Sequence, residues 1–484
     1  MAGRILSMPL AFLVPVVIVR FFTVGEFGVY KQLFLLFNIV LPIIDIGISQ
    51  SLLYFLPKYT ERSNEFISQT IVLQLPIFIL LLCGSFGFST EIGQAVGGED
   101  SVLGAYVSYV IVFAMLWHMS NILEGYLIVK GLSLQAGIIT FLSETVRSLV
   151  TIAIVFAGGG LLALMTGFVL IGVIRLILMG TYFHKISNFK FTSGHGLIYE
   201  QLAYSVPFGV AVIINTLVIY SHQYIVSYFS SLSDFAMYSV GCFSLPFLTV
   251  MAGSASKISL VKMSDIVARN DQIELVAEIL QNSIRKLWLI FFPVFVWLYV
   301  IAEDFIEILY TDAYLEAVPV FRIFILMVPL SAFLVQHVPR AFGKTAFILY
   351  ANCISLLVSI VACFFLLKLY GLVGAAGGFV LSNVLWRVMF VLKCKHLIGV
   401  SVKKMIPLAI IIKTGSSICI IGFLVYCVNA ITDFGVYYNC IFTTLIFFLM
   451  CSAMYWRFGV LLDVERKYIV IKIQHVADRV RGIL

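Results

Sequence analysis

Long apolar runs alternate with short polar segments along the whole chain. Fourteen of these runs approach the ~20 residues that a helix needs to cross a membrane. Barrel strands would alternate apolar and polar residues over shorter lengths, so the unbroken runs predict helices. The predicted spans are residues 4–22, 32–56, 67–88, 104–128, 136–157, 160–183, 203–227, 236–258, 284–303, 319–341, 346–367, 371–393, 405–427 and 434–456.

Composition agrees with this pattern and excludes a soluble globule. The 484 residues are 62% hydrophobic and 11% charged, with a mean hydropathy of +1.08. An average soluble domain is ~25% charged. We therefore expect an all-α integral membrane protein with about fourteen transmembrane helices. The nine cysteines have no CxxC spacing and lie mostly inside apolar runs, which favours packing over metal binding.

Lysine and arginine are concentrated in alternate loops, with almost none in the loops between, and this sets the predicted orientation. The loops at 89–103 and 304–318 carry acidic residues but neither lysine nor arginine. Basic residues fill the loops of the other side, as at Lys58, Lys130, Lys185, Lys262, Arg340 and Lys403. This asymmetry predicts that both termini are cytoplasmic. It also means that the net charge of +7 follows the loops and does not indicate a nucleic-acid partner.

Two stretches recur about 210 residues apart, which predicts two related halves. Residues 21–31 return in a blurred form at 228–239, and the tetrapeptide Gly-Phe-Val-Leu at 167–170 returns at 378–381, followed by Arg175 and Arg387. Six spans per half would give both halves the same orientation about a pseudo-two-fold axis along the membrane normal, with a cavity between them. The predicted divisions are an N-terminal six-helix lobe (1–183), a cytoplasmic linker (184–202), a C-terminal six-helix lobe (203–393), two additional transmembrane helices (394–456) and a basic cytoplasmic tail (457–484).

No enzyme signature is found in the sequence. HExxH and GxSxG are absent, and the segment 341–345 lacks the first glycine of a phosphate-binding loop, because that position is Val338. We therefore expect a protein that is not an enzyme, with no metal and no catalytic residues.

Charges inside the apolar runs are costly and therefore informative. Arg147 lies about eleven residues into the fifth span, near the membrane midplane, and Glu144 shares its helical face. Two interpretations stay open. The pair could only hold helices together, or it could line a cavity for an anionic substrate.

Two further spans carry polar residues at seven-residue spacing, which places them on one helical face. In the second span these are Lys31, Asn38 and Asp45; in the seventh they are Asn215 and His222. Asp45 is a candidate proton or Na⁺ site, with a polar helix contact as the alternative. Lone buried histidines are more often packing residues than ligands. We count Lys31, Asn38, Asn215 and His222, with Arg147 and Glu144, as candidate substrate-binding residues.

Several segments resemble the bacterial polysaccharide-biosynthesis flippases of the O-antigen type, within the multidrug/oligosaccharidyl-lipid/polysaccharide exporter superfamily. The matching features are Arg20 with the segment 26–30 (Glu-Phe-Gly-Val-Tyr), the segment 45–48 leading to 54–57 (Tyr-Phe-Leu-Pro), Pro293 to Tyr310 with Tyr314, Gly343-Lys344, and 370–376 (Tyr-Gly-Leu-Val-Gly-Ala-Ala). The similarity extends over the whole chain and is specific for the family, but not for a substrate.

The resemblance implies a multi-pass flippase of the bacterial inner (cytoplasmic) membrane. Such a protein translocates an undecaprenyl-pyrophosphate-linked oligosaccharide from the cytoplasmic to the outer leaflet by alternating access. Proton or Na⁺ coupling is open, and no other cofactor is expected. A basic central cavity binds the pyrophosphate in such proteins, a role that Arg147 fits. The implied partners are the lipid-linked oligosaccharide, membrane lipids, and a glycan polymerase with chain-length proteins.

Two other functions remain open at this point. A cation-coupled multidrug antiporter of the same superfamily would favour acidic and aromatic lining, and Asp45 keeps it under consideration. A membrane-embedded glycan polymerase or transferase would need a long external loop or an acidic metal motif, and neither is present in the sequence.

Overall fold

The computed structural model describes residues 2–59, 62–99, 101–187, 198–243, 245–269, 272–431 and 435–457. Within these ranges the chain is helical and contains no strand. Residues 188–197 of the predicted linker and 458–484 of the predicted tail lie outside the described residues.

The first nine helices lie between Ala2 and Phe229. They are α1 (Ala2–Ile18), α2 (Val24–Asp45), α3 (Ile48–Lys58), α4 (Ser63–Gly87), α5 (Ser89–Gly97), α6 (Val107–Val129), α7 (Ser133–Phe156), α8 (Leu161–Ser187) and α9 (Ile198–Phe229). Eleven more follow: α10 (Leu232–Gly241), α11 (Pro246–Arg269), α12 (Glu274–Val300), α13 (Ala302–Tyr310), α14 (Val318–Phe324), α15 (Met327–Leu330), α16 (His337–Ala341), α17 (Thr345–Ile398), α18 (Val402–Met405), α19 (Leu408–Ile431) and α20 (Val436–Arg457).

The all-α membrane architecture is confirmed, whereas the count of fourteen spans stays a prediction. Eleven helices in the described ranges are long and apolar enough to cross a membrane, and α10 with α11, bent by 53°, would be a twelfth. The 54-residue α17 is interrupted at Gly371, whose φ is 63°. A Cβ atom on Gly374 would lie 2.0 Å from the Leu366 carbonyl oxygen, and one on Gly378 2.7 Å from the Cys363 nitrogen. The chain therefore reverses near Gly371, between the predicted spans 346–367 and 371–393.

Besides the span predicted at 236–258, which is broken between α10 and α11, two predicted spans are not continuous helices. The span predicted at 32–56 is broken between α2 and α3, where Ile46 (φ 40°) and Gly47 (φ 79°) both have left-handed backbone conformations. The Ile46 N–H donates to the Pro42 carbonyl and closes α2. The span predicted at 319–341 is divided into the short helices α14, α15 and α16. Apolar composition alone could not separate these pieces, because each break keeps the apolar character of the run.

The repeated stretch proves to be the same helix-starting device in both copies. Thr23 caps α2 in a reciprocal capping box with Glu26, and Ser231 caps α10 with Asp234. Such a box satisfies two backbone donors that a helix start otherwise leaves unpaired. The two copies also contact each other, because a Cβ atom on Gly28 would lie 2.3 Å from the Leu232 carbonyl oxygen.

The chain forms two compact units that do not coincide with the two sequence halves. Of the described residues, those within 2–243, 309–324 and 346–386 form the first unit, and those within 245–308, 325–345 and 387–457 form the second. In the first unit α1 packs on α7, α6 on α8, and α2 on α9 and α10. In the second, α12 packs on α11 and α19, and α19 on α20, around Val296, Ile418 and Phe447. The predicted lobes, 1–183 and 203–393, stay a prediction.

Candidate functional site

Arg147 and Glu144 form an ion pair on α7. Arg147 Nη2 donates to Glu144 Oε2 at 2.6 Å, and each side chain is 22% exposed. Arg147 lies fourteen residues after the start of α7, which is ~21 Å along the helix at ~1.5 Å per residue. Since the 24 residues of α7 extend over ~36 Å, Arg147 lies in the middle third of a helix that is long enough to cross a ~30 Å hydrocarbon core.

Trp117 of α6 connects this pair to a second arginine. The Arg147 guanidinium carbon lies 5.3 Å from the Trp117 ring centroid, and that of Arg175, on α8, lies 3.8 Å from it. Both distances are within the range of cation–π attraction. Arg175 is buried, donates to Asn121 Oδ1 at 3.0 Å, and lies 3.5 Å from Glu124 Oε2.

We call this group the guanidinium cluster, and it comprises Trp117, Asn121, Glu124, Glu144, Arg147 and Arg175. The sequence predicted the pair on α7, because its members are three positions apart and so lie on the same helical face. It did not predict Trp117 and Arg175 as partners, because their contact joins three helices. The only sequence signal for Arg175 was its position after the repeated tetrapeptide.

The electrostatics of the guanidinium cluster leave room for a further acceptor. Two carboxylates balance the charge of the two guanidiniums, and so the cluster has no net positive charge. The Nε–H of Arg147 is buried, yet no hydrogen-bond partner for it is found among the described residues. A buried donor without a partner is costly, and an anionic ligand would relieve that cost. Guanidinium also stays charged and presents a planar fork of donors to phosphate oxygens.

A second group of polar side chains surrounds the break between α2 and α3. Asp45 Oδ1 accepts from the Ser49 backbone N–H at 2.9 Å and lies 3.6 Å from His118 Nε2. That nitrogen is also 2.7 Å from Gln74 Nε2 and 3.4 Å from Ser49 Oγ. We call these four residues the Asp45 cluster. Carboxylates beside interrupted membrane helices suit cation or proton binding, because the break exposes backbone groups that a regular helix would pair.

The N-terminal part of α9 is packed against this break. A Cβ atom on Gly209 would lie 2.2 Å from the Ile46 carbonyl carbon, and one on Gly47 would lie 2.5 Å from the Ser205 carbonyl oxygen. Buried Gln201 donates to Ser51 Oγ at 3.0 Å and to Thr70 Oγ1 at 2.8 Å. Helices α3, α4 and α9 are thus joined by hydrogen bonds next to the Asp45 cluster.

The remaining predicted site residues have contacts of other kinds. Lys31 Nζ lies 5.2 Å from the Phe27 ring centroid, and Asn38 Nδ2 donates to the Phe34 carbonyl one turn earlier. Asn215 is exposed on α9. Their roles as substrate ligands stay predictions.

His222 is buried in the first compact unit. Its Nδ1 lies 2.7 Å from the Tyr238 hydroxyl oxygen, and its ring centroid is 4.0 Å from that of Phe379. These are the contacts of a packed, hydrogen-bonded histidine. His118, by contrast, proves to be a neighbour of Asp45, although the sequence favoured packing for every lone histidine.

Comparison with known proteins gives one family match and several similar folds. A family model described as polysaccharide biosynthesis protein matches residues 17–319. The lipid II flippase MurJ in its inward closed conformation has a TM-score of 0.69 at 15% identity, covering 94% of this chain and 98% of that one. An inward-facing multidrug resistance MATE transporter of the MOP superfamily has a TM-score of 0.68 at 12% identity, with 82% and 95% covered.

A MOP superfamily transporter from Pyrococcus furiosus is also similar, with a TM-score of 0.58 at 12% identity and with 82% and 93% covered. No curated protein sequence matches the chain. At these identities the solved structures establish a shared fold of membrane transporters. They do not transfer a substrate.

Proposed function

Because this chain belongs to the polysaccharide biosynthesis protein family, we propose that it is a flippase for an undecaprenyl-pyrophosphate-linked oligosaccharide. It would carry this substrate from the cytoplasmic to the outer leaflet of the bacterial inner membrane by alternating access. Its transporter fold supports this proposal, since the lipid II flippase MurJ has a similar one.

The observation that carries the proposal is the guanidinium cluster. A pyrophosphate cannot cross hydrocarbon unaided, because transferring an uncompensated charge out of water is prohibitively expensive. A compensating cation must therefore be available at mid-depth. Arg147 meets this need by its position on α7, its partial exposure and the buried Nε–H that has no partner in the described part of the chain.

Glu144 and Glu124 would keep the guanidinium cluster from binding the pyrophosphate too tightly for release. Each carboxylate holds one guanidinium in place before the substrate arrives. A pyrophosphate oxygen would compete with the carboxylate for the same N–H donors, and so its binding is moderated. The carboxylates can then take back the guanidinium N–H donors when the substrate leaves, which makes release possible.

The Asp45 cluster is the proposed site of ion coupling, with H⁺ or Na⁺ as the coupling ion. Its carboxylate caps the start of α3 through the Ser49 N–H and faces His118. Gain or loss of a positive charge at Asp45 would alter this capping interaction, next to the contact with α9. The coupling ion would in this way act on the packing of α2 and α3 against α9.

We propose the bacterial inner membrane as the location, as the resemblance implies, and cytoplasmic positions for both termini, because of the loop charges. Its further partners would be membrane lipids, a glycan polymerase and chain-length proteins, as the resemblance implies.

Reconstitution tests the proposed function directly. The purified protein would be placed in vesicles that contain the lipid-linked oligosaccharide, and a glycan-cleaving enzyme added outside would measure its appearance in the outer leaflet. We expect faster exposure than in protein-free vesicles and than with the Arg147→Ala variant at the same protein content. Gradient-driven transport of a cationic dye, with no exposure of the glycan, would instead identify a multidrug antiporter.

A further inference from the structure

An apolar groove runs between α7 and α8 in the first compact unit. Its volume is about 440 Å³, within the ~300–1,000 Å³ that is usual for ligand pockets. Side chains from both helices form the walls, mainly Ile138, Leu142, Val146, Ile174, Leu178 and Tyr182. Several of these aliphatic side chains are about half exposed along the groove, and so its surface is open to an apolar occupant.

Arg175 connects this groove to the guanidinium cluster. It lines the groove, yet only 3% of the residue is exposed. Its guanidinium lies on Trp117, whose ring is also the neighbour of Arg147. The apolar groove is therefore lined by one guanidinium, that of Arg175, which shares the Trp117 ring with the guanidinium of Arg147. An apolar groove next to two guanidiniums is complementary to an amphipathic molecule in which a long hydrocarbon chain joins a diphosphate.

We propose that the groove binds the isoprenoid segment next to the pyrophosphate of the lipid-linked substrate, so that Arg175 and Arg147 face the two phosphates. This inference rests on the proposed function and names the part of the substrate that each surface holds. The number of phosphates favours this occupant over a membrane phospholipid. Each guanidinium already has one carboxylate partner, Glu144 or Glu124, and a diphosphate can present one phosphate to each guanidinium, whereas a phospholipid has a single phosphate for the two.

The groove would act mainly by positioning. Bilayer hydrocarbon is as apolar as the groove walls, so moving the isoprenoid chain from lipid into the groove yields little hydrophobic gain. A chain held against α7 and α8 would, however, bring the pyrophosphate to the guanidinium cluster in a fixed orientation. The hydrocarbon tail could then stay in an apolar environment while the glycan crosses.

Filling the groove tests this role. Ile174→Trp and Leu178→Trp place a large ring between the walls, and Leu170→Trp is the matched control. Leu170 lies on the same helix with a similar exposure of 57%, compared with 56% for Ile174 and 61% for Leu178, but it does not line the groove. In the vesicle assay we expect the two groove variants to lose flipping by about tenfold or more, because the pyrophosphate is misplaced. The control should keep a rate near that of the unchanged protein.

Photo-crosslinking provides a readout that does not depend on transport. A benzophenone amino acid at Leu142, in the groove wall, should capture undecaprenyl pyrophosphate, and Ile174→Trp should remove this product. Excess undecaprenyl pyrophosphate should compete, whereas the same concentration of phosphatidylglycerol should not. Equal competition by phosphatidylglycerol would make the groove an ordinary lipid site and overturn the inference.

The vesicle assay distinguishes failure of the proposed function from failure of the isoprenoid site. If the unchanged protein exposes no glycan, the proposed function is wrong. If it exposes glycan and both groove variants do so as fast as Leu170→Trp, the function stands and the isoprenoid site is wrong.

Discussion

Gly209 of α9 lies directly against the carbonyl group of Ile46, at the break between α2 and α3. A Cβ atom on Gly209 would come within 2.2 Å of the Ile46 carbonyl carbon, a distance that real side chains do not reach. The break that begins beside Asp45 is therefore covered by the backbone of another helix, with no side chain between them. Any movement of α9 away from α2 must uncover this break.

The first prediction concerns this contact. Gly209→Ala should force α9 away from the break and lower the free energy of unfolding by about 1–3 kcal/mol, as overpacking usually does. Gly180→Ala is the control, because a Cβ atom there would meet nothing within 4 Å. Removing a helical glycine without a clash should leave stability equal or slightly higher. Thermal unfolding in detergent measures both, and equal midpoints for the two variants would contradict the contact.

The second prediction concerns ion coupling at Asp45. Asp45→Asn keeps the side-chain volume but removes the charge, and so we expect transport to fall further than protein accumulation does. Asp265→Asn is the control, because Asp265 is exposed and paired with Arg269 at 2.9 Å on the surface of α11. Rates would be compared under an imposed proton gradient and under an imposed Na⁺ gradient. Transport by Asp45→Asn that equals the control under both gradients would remove Asp45 as the coupling site.

The helices themselves were predictable, because apolar runs of this length have one stable form in a membrane. The breaks were not. Ile46 adopts a left-handed backbone conformation that β-branched residues rarely take, and so the residue type could not predict it. Its cause is tertiary, since Gly47 and Gly209 allow α9 to approach the backbone on both sides of the break.

In the candidate site, too, contacts within one helix were predictable and contacts between helices were not. The pairing of Glu144 with Arg147 follows from helical spacing, and it was predicted. The contacts of Trp117 with Arg147 and Arg175 join three successive helices through residues that are 30 and 58 positions apart, and so no local pattern encodes them. His118 shows the same limit, because only the fold brings it to Asp45.

The third prediction is the orientation of the loops. In a variant whose nine native cysteines are replaced, single cysteines at Glu99 and Asp312 should react with an impermeant thiol reagent from outside the cell. Cysteines at Glu200, Arg269 and Lys344 should react only after the membrane is opened. All five positions are exposed. Labelling of Glu99 and Lys344 from the same side would be incompatible with the orientation that the loop charges predict.

The last prediction concerns Arg147. If this residue binds the pyrophosphate, Arg147→Ala should reduce flipping by about 10²-fold or more, while the protein still inserts and accumulates. Arg147→Lys should keep part of the activity, because the charge survives but the planar fork does not. Glu144→Gln should have the mildest effect, since it removes only the group that orients and moderates the guanidinium. Arg269→Ala breaks the exposed pair with Asp265 and should leave both flipping and protein level unchanged.

A purely structural pair predicts another pattern for the same variants. Removing one partner of a fully buried pair costs about 3–5 kcal/mol, because the other charge is left uncompensated. The cost for Glu144 and Arg147 would be smaller but of the same sign, since each side chain is 22% exposed. Arg147→Ala and Glu144→Gln alone would then each lower the amount of protein in the membrane. The double variant Glu144→Gln/Arg147→Gln would restore both the amount and the flipping, because neutral amides can hydrogen-bond each other and no charge remains. Flipping restored in this double variant would exclude Arg147 as the pyrophosphate ligand, whereas restored amount without flipping would leave substrate binding as its role.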